Sequence, residues 1–205
     1  MPETDTLLLE IGCEELPSSF VDAALASLPD LVAKKLDALR LSHGTISPLG
    51  TARRLAVLVE GLADGQADVD EEVVGPPETA AFKDGKPTKA AEAFAAKLGV
   101  AVGDLQVVAR EAGPKQKAGN YVVGRRKEKG KPTRELIGGA LAEVCKEIPF
   151  KKSMRWGAGD ATFGRPVQWL VALYGADVVD VTFAGVRSGR VSQGHRFLHH
   201  GDVAI

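Results

Sequence analysis

The sequence predicts an α+β fold in which mixed, largely antiparallel sheets pack with three main helices. Three observations carry that prediction. In three separate stretches apolar residues recur at three- and four-residue spacing, which places them on one face of a helix. Between those stretches lie short runs rich in Leu, Val and Ile, bounded by Gly, Pro, Asn and Asp, which read as strands. Two of the runs, Val167–Tyr174 and Val178–Val186, are separated only by Gly175-Ala176-Asp177 and give the strongest hairpin signal in the chain.

Taken in order, Leu7-Leu8-Leu9-Glu10-Ile11-Gly12 is a short apolar run without a helix cap and predicts a buried strand ended by Gly12. Ser18 or Ser19 is placed to cap the first helix, with Pro17 near its entrance. Its apolar face runs from Phe20 through Leu28, Val32 and Leu36 to about Leu41, and the unbroken register across Pro29 favours a kink over a break. A strand pair follows, Thr45–Leu49 and Arg54–Leu62, turned by Gly50-Thr51-Ala52-Arg53. Asp64–Glu72 reads as an acidic turn, Val73–Pro77 as a rigid extended corner and Glu78–Phe82 as one helical turn.

Thr88 caps the second helix, which turns Ala91, Phe94, Ala95 and Leu98 inward and stops at Gly99. Leu105–Glu111 and Asn120–Arg126 read as strands, with Lys127-Glu128-Lys129-Gly130-Lys131 as a basic hairpin tip. Thr133 caps the third helix, whose stripe of Leu136, Ile137, Ala140, Leu141 and Val144 ends at Ile148-Pro149. Pro166 has no N–H to give a central ladder, so it opens the Val167–Tyr174 strand. The segment Ser188–Gly201 reads as a polar, basic tail.

At 205 residues the chain is long enough for one large domain or two small ones with a substantial core. Its longest apolar runs fall well short of the roughly 20 residues a membrane span needs. The acidic start, Met1-Pro2-Glu3-Thr4-Asp5, is unlike a signal peptide, and a cytoplasmic protein is expected. Cys13 and Cys145 have no CxxC companion and are expected as reduced, partly buried thiols. The net charge of −1 hides an asymmetry: residues 1–110 carry 10 Lys+Arg against 18 Asp+Glu, and residues 111–205 carry 16 against 9. The split suggests two subdomains, an acidic one over about 1–110 and a basic one over about 111–205, sharing one core, with the basic half facing a polyanion; equally, the halves neutralise each other within one fold.

Binding of single-stranded or looped RNA needs cations for phosphate and an aromatic face for bases. Lys151, Lys152, Arg155, Trp156 and Arg165 supply both types within one short stretch. The competing reading puts Trp156 and Trp169 in the core and leaves the cations on a solvated connection. Arg53 and Arg54 sit at a strand mouth, where paired guanidinium groups grip phosphate or carboxylate, or bridge to Glu14 or Glu15. Lys115–Arg134 holds eight cations and one acid, and within it Arg125, Arg126 and Lys127 are further phosphate candidates. His195 and Arg196 add two more in the tail. His195, His199 and His200 have no interleaved carboxylate or Cys, so no metal site is expected. With no Walker loop, Rossmann glycine fingerprint, HExxH or GxSxG, no catalytic residue is assigned.

These same residues resemble one family, the beta subunit of the bacterial heterotetrameric glycyl-tRNA synthetase. The resemblance runs through Leu7–Pro17, Thr51-Ala52-Arg53-Arg54-Leu55-Ala56-Val57, Gly75-Pro76-Pro77 and Gly85-Lys86-Pro87-Thr88-Lys89-Ala90-Ala91. It continues through Lys152-Ser153-Met154-Arg155-Trp156-Gly157, Arg165-Pro166 and Gly194-His195-Arg196-Phe197. Ala52 departs from it, since the family usually has Pro there. Members of the family are several times longer, so the chain looks like an N-terminal fragment. The resemblance implies an alpha2beta2 tetramer in which the alpha subunit binds glycine, ATP and Mg and carries the active site, while the beta subunit supplies tRNA recognition. It implies no cofactor on this piece and no glycine-tRNA ligase activity of the piece alone. A hydrolytic editing-type domain and a purely architectural body are the alternatives.

Overall fold

A computed structural model of the chain describes residues 3–83, 85–111, 118–157, 159–199 and 201–205. It divides into two compact units, one made of the chain up to Gln66 together with Lys131–Ile205, the other of Ala67–Gly130. The class is α+β, with sheets largely antiparallel and three main helices, Ser18–Ala38, Lys89–Leu98 and Thr133–Glu147, beside one helical turn at Glu78–Ala81.

In the first unit Thr4–Cys13 lies between Val167–Tyr174 and Arg54–Ala63, antiparallel to both, and Ile46–Thr51 extends the sheet beyond Arg54–Ala63. Strict alternation along these strands sends Leu7, Leu9, Ile11, Leu55, Val57 and Val59 into one large core. Two helices close that face, the first through Ala24, Leu28, Val32 and Leu36 and the last through Ile137, Leu141 and Val144. The first helix continues through Pro29, and its buried stripe holds the same spacing on both sides. Lys35 ties the two helices together by donating to Glu143 at 2.7 Å and Glu147 at 2.6 Å, and those bonds push its pKa up. The opposite face of the sheet carries a smaller cluster, Leu8, Trp169, Val171 and Leu173.

Several expected details differ for identifiable reasons. Gly12 does not end its strand: it stands directly opposite Trp169 in the ladder, and a Cβ there would lie 1.9 Å from the indole. Neither Ser18 nor Ser19 caps the first helix, because Pro17 takes the N-cap position with φ −59° and no side-chain cap bond is made. Pro132 does the same for the last helix, while the buried Thr133 hydroxyl donates to Ala63 O. The expected Val178–Val186 strand breaks up. Asp177–Val178 pairs antiparallel with Val167–Tyr174, and Val186–Gly189 then joins the same strand in parallel. Ala184 and Gly185, both at positive φ, turn the chain between them. Within the polar tail, Val191–Gln193 forms a strand that pairs with Asp202–Ala204.

The second unit is a three-stranded antiparallel sheet, Val69–Pro77, Gly119–Glu128 and Gln106–Arg110, packed with the Lys89–Leu98 helix around Ala81, Ala91 and Val122. Thr88 caps that helix through Ala90 N–H, and Gly99 ends it at φ 71°, as the sequence predicts. Residues 69–77, expected as the end of an acidic turn and a corner, are instead one strand paired with Gly119–Glu128. The strand continues to Glu128, so the first two residues of the expected Lys127–Lys131 tip belong to the ladder. The charge boundary near residue 110 falls inside this unit. Counted by unit, Ala67–Gly130 carries 11 cations and 10 anions and the remainder 15 and 17, so each unit is close to neutral.

Cys13 and Cys145 are free and buried, and burial pushes both thiols up to about 12. Above the ordinary value of 9.0 the unfolded chain releases these protons and the folded chain keeps them, so the fold loses stability as pH rises from about 9 towards 12. Denaturant midpoints measured from pH 8 to pH 10.5 will drift downward, and Cys145→Ala will reduce the slope. An equal slope in that variant would place the titration elsewhere.

Candidate nucleic-acid interface

The floor of the site is set by one buried carboxylate. Glu10 is 7% exposed and points from the central strand to the face that carries Trp169. Its Oε1 accepts from Trp169 Nε1 at 2.6 Å and from the Ser192 hydroxyl, and its Oε2 from Arg54 Nη1 at 3.4 Å. Arg54 also donates to Ser192 Oγ and to the Gln193 carbonyl, and its guanidinium carbon lies 5.8 Å from the Trp169 ring centroid. Every charge at this floor is therefore answered by an opposite charge or a hydrogen bond, which a buried ion pair requires. The network also pins the Val191–Gln193 strand to the sheet through Ser192 and Gln193.

Above the floor opens a cleft of about 360 Å³, lined by Arg53, Arg54, Trp169 and the Gly194-His195-Arg196-Phe197 loop, with Glu15 and Thr51 at its edge. Arg53 Nε is buried and has no hydrogen-bond partner among the described residues. Arg196 pairs with Glu15 at 3.2 Å, and its guanidinium carbon lies 5.8 Å from the Phe197 ring centroid. Phe197 and Leu198 are 74% and 84% exposed. The neighbouring loop is ordered by His195, whose Nδ1 accepts from the Phe197 and Leu198 N–H groups at 3.2 Å. The other ring nitrogen, Nε2, then carries the proton.

Of the residues singled out in the sequence, Arg53, Arg54, His195 and Arg196 are brought together here. The expected bridges from the arginine pair to Glu14 or Glu15 are replaced: Arg54 takes Glu10, and Glu15 goes to Arg196. Arg155 lies on a short strand and pairs with Asp160 at 3.1 Å, and Arg165 is half-buried and donates to Gly164 O. Lys151 and Lys152 are exposed. Trp156 is half-buried against the main core rather than standing free beside these cations.

Arg125, Arg126 and Lys127 belong to the Ala67–Gly130 unit and stand opposite Glu72, Glu71 and Asp70 in the ladder. Arg125 pairs with Asp70 at 2.8 Å, and Arg126 with Glu71 at 3.8 Å and with Glu128 at 2.6 Å. Arg125, Arg126 and Lys127, the middle of the most basic stretch, are thus laid along Asp70, Glu71 and Glu72. His200 lies outside the described residues, and among the described residues no cluster of His, Cys, Asp and Glu is arranged to hold a metal. No described helix is long and apolar enough to cross a membrane.

A family model described as glycyl-tRNA synthetase beta subunit matches residues 7–205. The chain belongs to that family. The glycine–tRNA ligase beta subunit of Myxococcus xanthus is 48% identical over 193 residues, which cover 94% of this chain and 27% of that protein. That of Geobacter metallireducens is 47% identical over 193 residues, with the same two shares. That of Picosynechococcus is 44% identical over 204 residues, 98% of this chain and 28% of the relative. The chain thus spans little more than a quarter of the length of these beta subunits.

Two side chains at or beneath the cleft were not singled out in the sequence. Glu10 is one polar interruption in an apolar run, and only the strand pairing puts it under Arg54 and Trp169, which line the cleft and bond to it. Phe197 did carry a signal, an aromatic beside Arg196 in an otherwise polar segment, and its exposure gives that signal meaning.

Proposed function

We propose that this chain works within a glycine-tRNA ligase as a tRNA-binding and subunit-organising part of the beta subunit. In this reading a separate alpha subunit, in an alpha2beta2 tetramer in the cytoplasm, binds glycine, ATP and Mg and attaches glycine to tRNA. Membership of the beta-subunit family gives the reading its context. The observation that carries it is the buried Nε of Arg53, without a partner among the described residues, in a cleft that also presents Arg196 and an exposed Phe197. A buried guanidinium nitrogen without an acceptor is costly, and a phosphate oxygen is the kind of group that removes the cost. A hydrolytic role fits less well. It needs a positioned base or nucleophile, whereas Cys13 is held protonated by burial and His195 uses Nδ1 on its own loop.

The test is tRNA affinity of the assembled enzyme across salt concentrations. Neutralising Arg53 and Arg196 together, or Lys151, Lys152 and Arg155 together, will weaken binding and flatten the log-log salt slope by about 0.7–0.9 for each phosphate left without its cation. Neutralising Arg125, Arg126 and Lys127 puts the same question to the Ala67–Gly130 unit, where the exposed pairs of Arg125 with Asp70 and Arg126 with Glu71 are weak enough for a phosphate to displace. Unchanged affinity and slope in all three variants would leave the chain as an architectural body.

A further inference from the structure

We infer that the cleft above Glu10 is a subsite for one unpaired nucleotide, with the phosphate held between Arg53 and Arg196 and the base stacked on Phe197. The inference rests on the tRNA-binding reading above and narrows it to one place and one chemical unit.

The arginines divide the work. Arg54 is committed to Glu10, Ser192 and the Gln193 carbonyl, and so belongs to the framework. Arg53, its neighbour in sequence, has a buried Nε with no acceptor among the described residues and lines the cleft. Arg196 is engaged at the surface with Glu15, both side chains being more than half exposed. Exposed pairs of that kind are weak, so a phosphodiester, whose two free oxygens match the guanidinium fork, displaces Glu15. Glu15 then serves as the anion that occupies Arg196 when the subsite is empty.

The stacking surface is presented rather than frayed. His195 holds the Phe197 and Leu198 N–H groups, His199 N–H donates to His195 O at 2.9 Å, and Gly194 N–H donates to Gly201 O at 3.0 Å. Gly194 is required for this closure, since a Cβ there would sit 2.3 Å from the His199 ring and 2.4 Å from its carbonyl oxygen. The loop thus holds an aromatic face outward beside a guanidinium. In a nucleotide the phosphate and base are likewise separated by one sugar, and the cleft volume of about 360 Å³ suits a unit of that size. Stacking on an exposed ring tolerates any base but requires it to be unpaired, which selects looped or terminal RNA over duplex.

The experiment uses the assembled enzyme with its full-length beta subunit and a glycine tRNA transcript. Phe197→Ala is expected to weaken tRNA binding between about five- and 160-fold, the range for removing one base stack, and Phe197→Trp to restore it. Arg196→Ala is expected to flatten the salt slope by about 0.7, and Glu15→Gln to tighten binding severalfold by freeing Arg196. Adenosine monophosphate serves as a second probe. Competition with tRNA that disappears in Phe197→Ala assigns the subsite to nucleotides in general, and failure to compete beside a Phe197-dependent tRNA affinity assigns it to nucleotides within a strand. Unchanged tRNA affinity in Phe197→Ala and Arg196→Ala, with weaker binding on neutralising Lys151, Lys152 and Arg155, overturns the subsite and leaves the broader reading standing. No change in any of these variants overturns both. Loss of alpha-subunit association in Phe197→Ala with tRNA affinity intact assigns the ring to a protein interface and also overturns the subsite.

Discussion

Trp169→Ala will lower folding stability by about 3–5 kcal/mol, the usual cost of deleting a large buried aromatic. The indole is 8% exposed and packs with Leu8, Val171 and Leu173 on the face of the sheet away from the helices. Its N–H is also the 2.6 Å donor to the buried Glu10 carboxylate, so the truncation removes packing and strips a charged group of a partner. The two contributions separate in Trp169→Phe, which keeps most of the packing and loses the N–H; there the cost falls to about 1–3 kcal/mol. Urea denaturation of the beta subunit, read at the transition of this unit, checks both. A loss below about 1 kcal/mol for Trp169→Ala would mean that neither the cluster nor the bond to Glu10 supports the sheet.

Gly12→Ala will be nearly as damaging, although it adds only one methyl group. A Cβ at Gly12 would lie 1.9 Å from Trp169 Cε2 and 2.0 Å from Cδ2, so the ring must leave its place. Overpacking commonly costs about 1–3 kcal/mol and occasionally more. Here the upper end is expected, because moving the indole also breaks its bond to Glu10. Residue 12 and residue 169 face each other in the ladder, so the double variant Gly12→Ala with Trp169→Ala will cost clearly less than the sum of the single ones. Additive losses would show that the glycine serves its own backbone rather than the indole.

The contrast between these two residues shows how far local reading reaches. Trp169 was legible as a buried residue because Pro166 opens its strand and a continuous apolar run follows, all within a few positions. Gly12 reads locally as a strand end, a natural inference for a residue without a side chain to pack. Its actual role depends on a ring brought opposite it from far along the chain.

The charges follow the same rule. Eight cations and one acid between Lys115 and Arg134 suggest a phosphate surface, and Asp64–Glu72 looks like a solvated turn. Strand register sets Glu72, Glu71 and Asp70 against Arg125, Arg126 and Lys127, and that pairing exists in neither segment alone. The cleft is also a product of topology. Arg53 ends the turn after Ile46–Thr51, while Arg196 and Phe197 sit on the loop of a later hairpin that Ser192 and Gln193 anchor to Glu10 and Arg54.

The sequence by itself determined the α+β class, the three main helices and the four longer strands of the central sheet, because helix and strand periods, the Thr88 cap and the Gly99 stop depend on residues a few positions apart. The tertiary structure alone decided which charges cancel, why Gly12 must be glycine, and that Arg53 meets Arg196 and Phe197 beside a buried Glu10. Those outcomes depend on strand order and register, which distant segments fix jointly when they bury their apolar faces against one another.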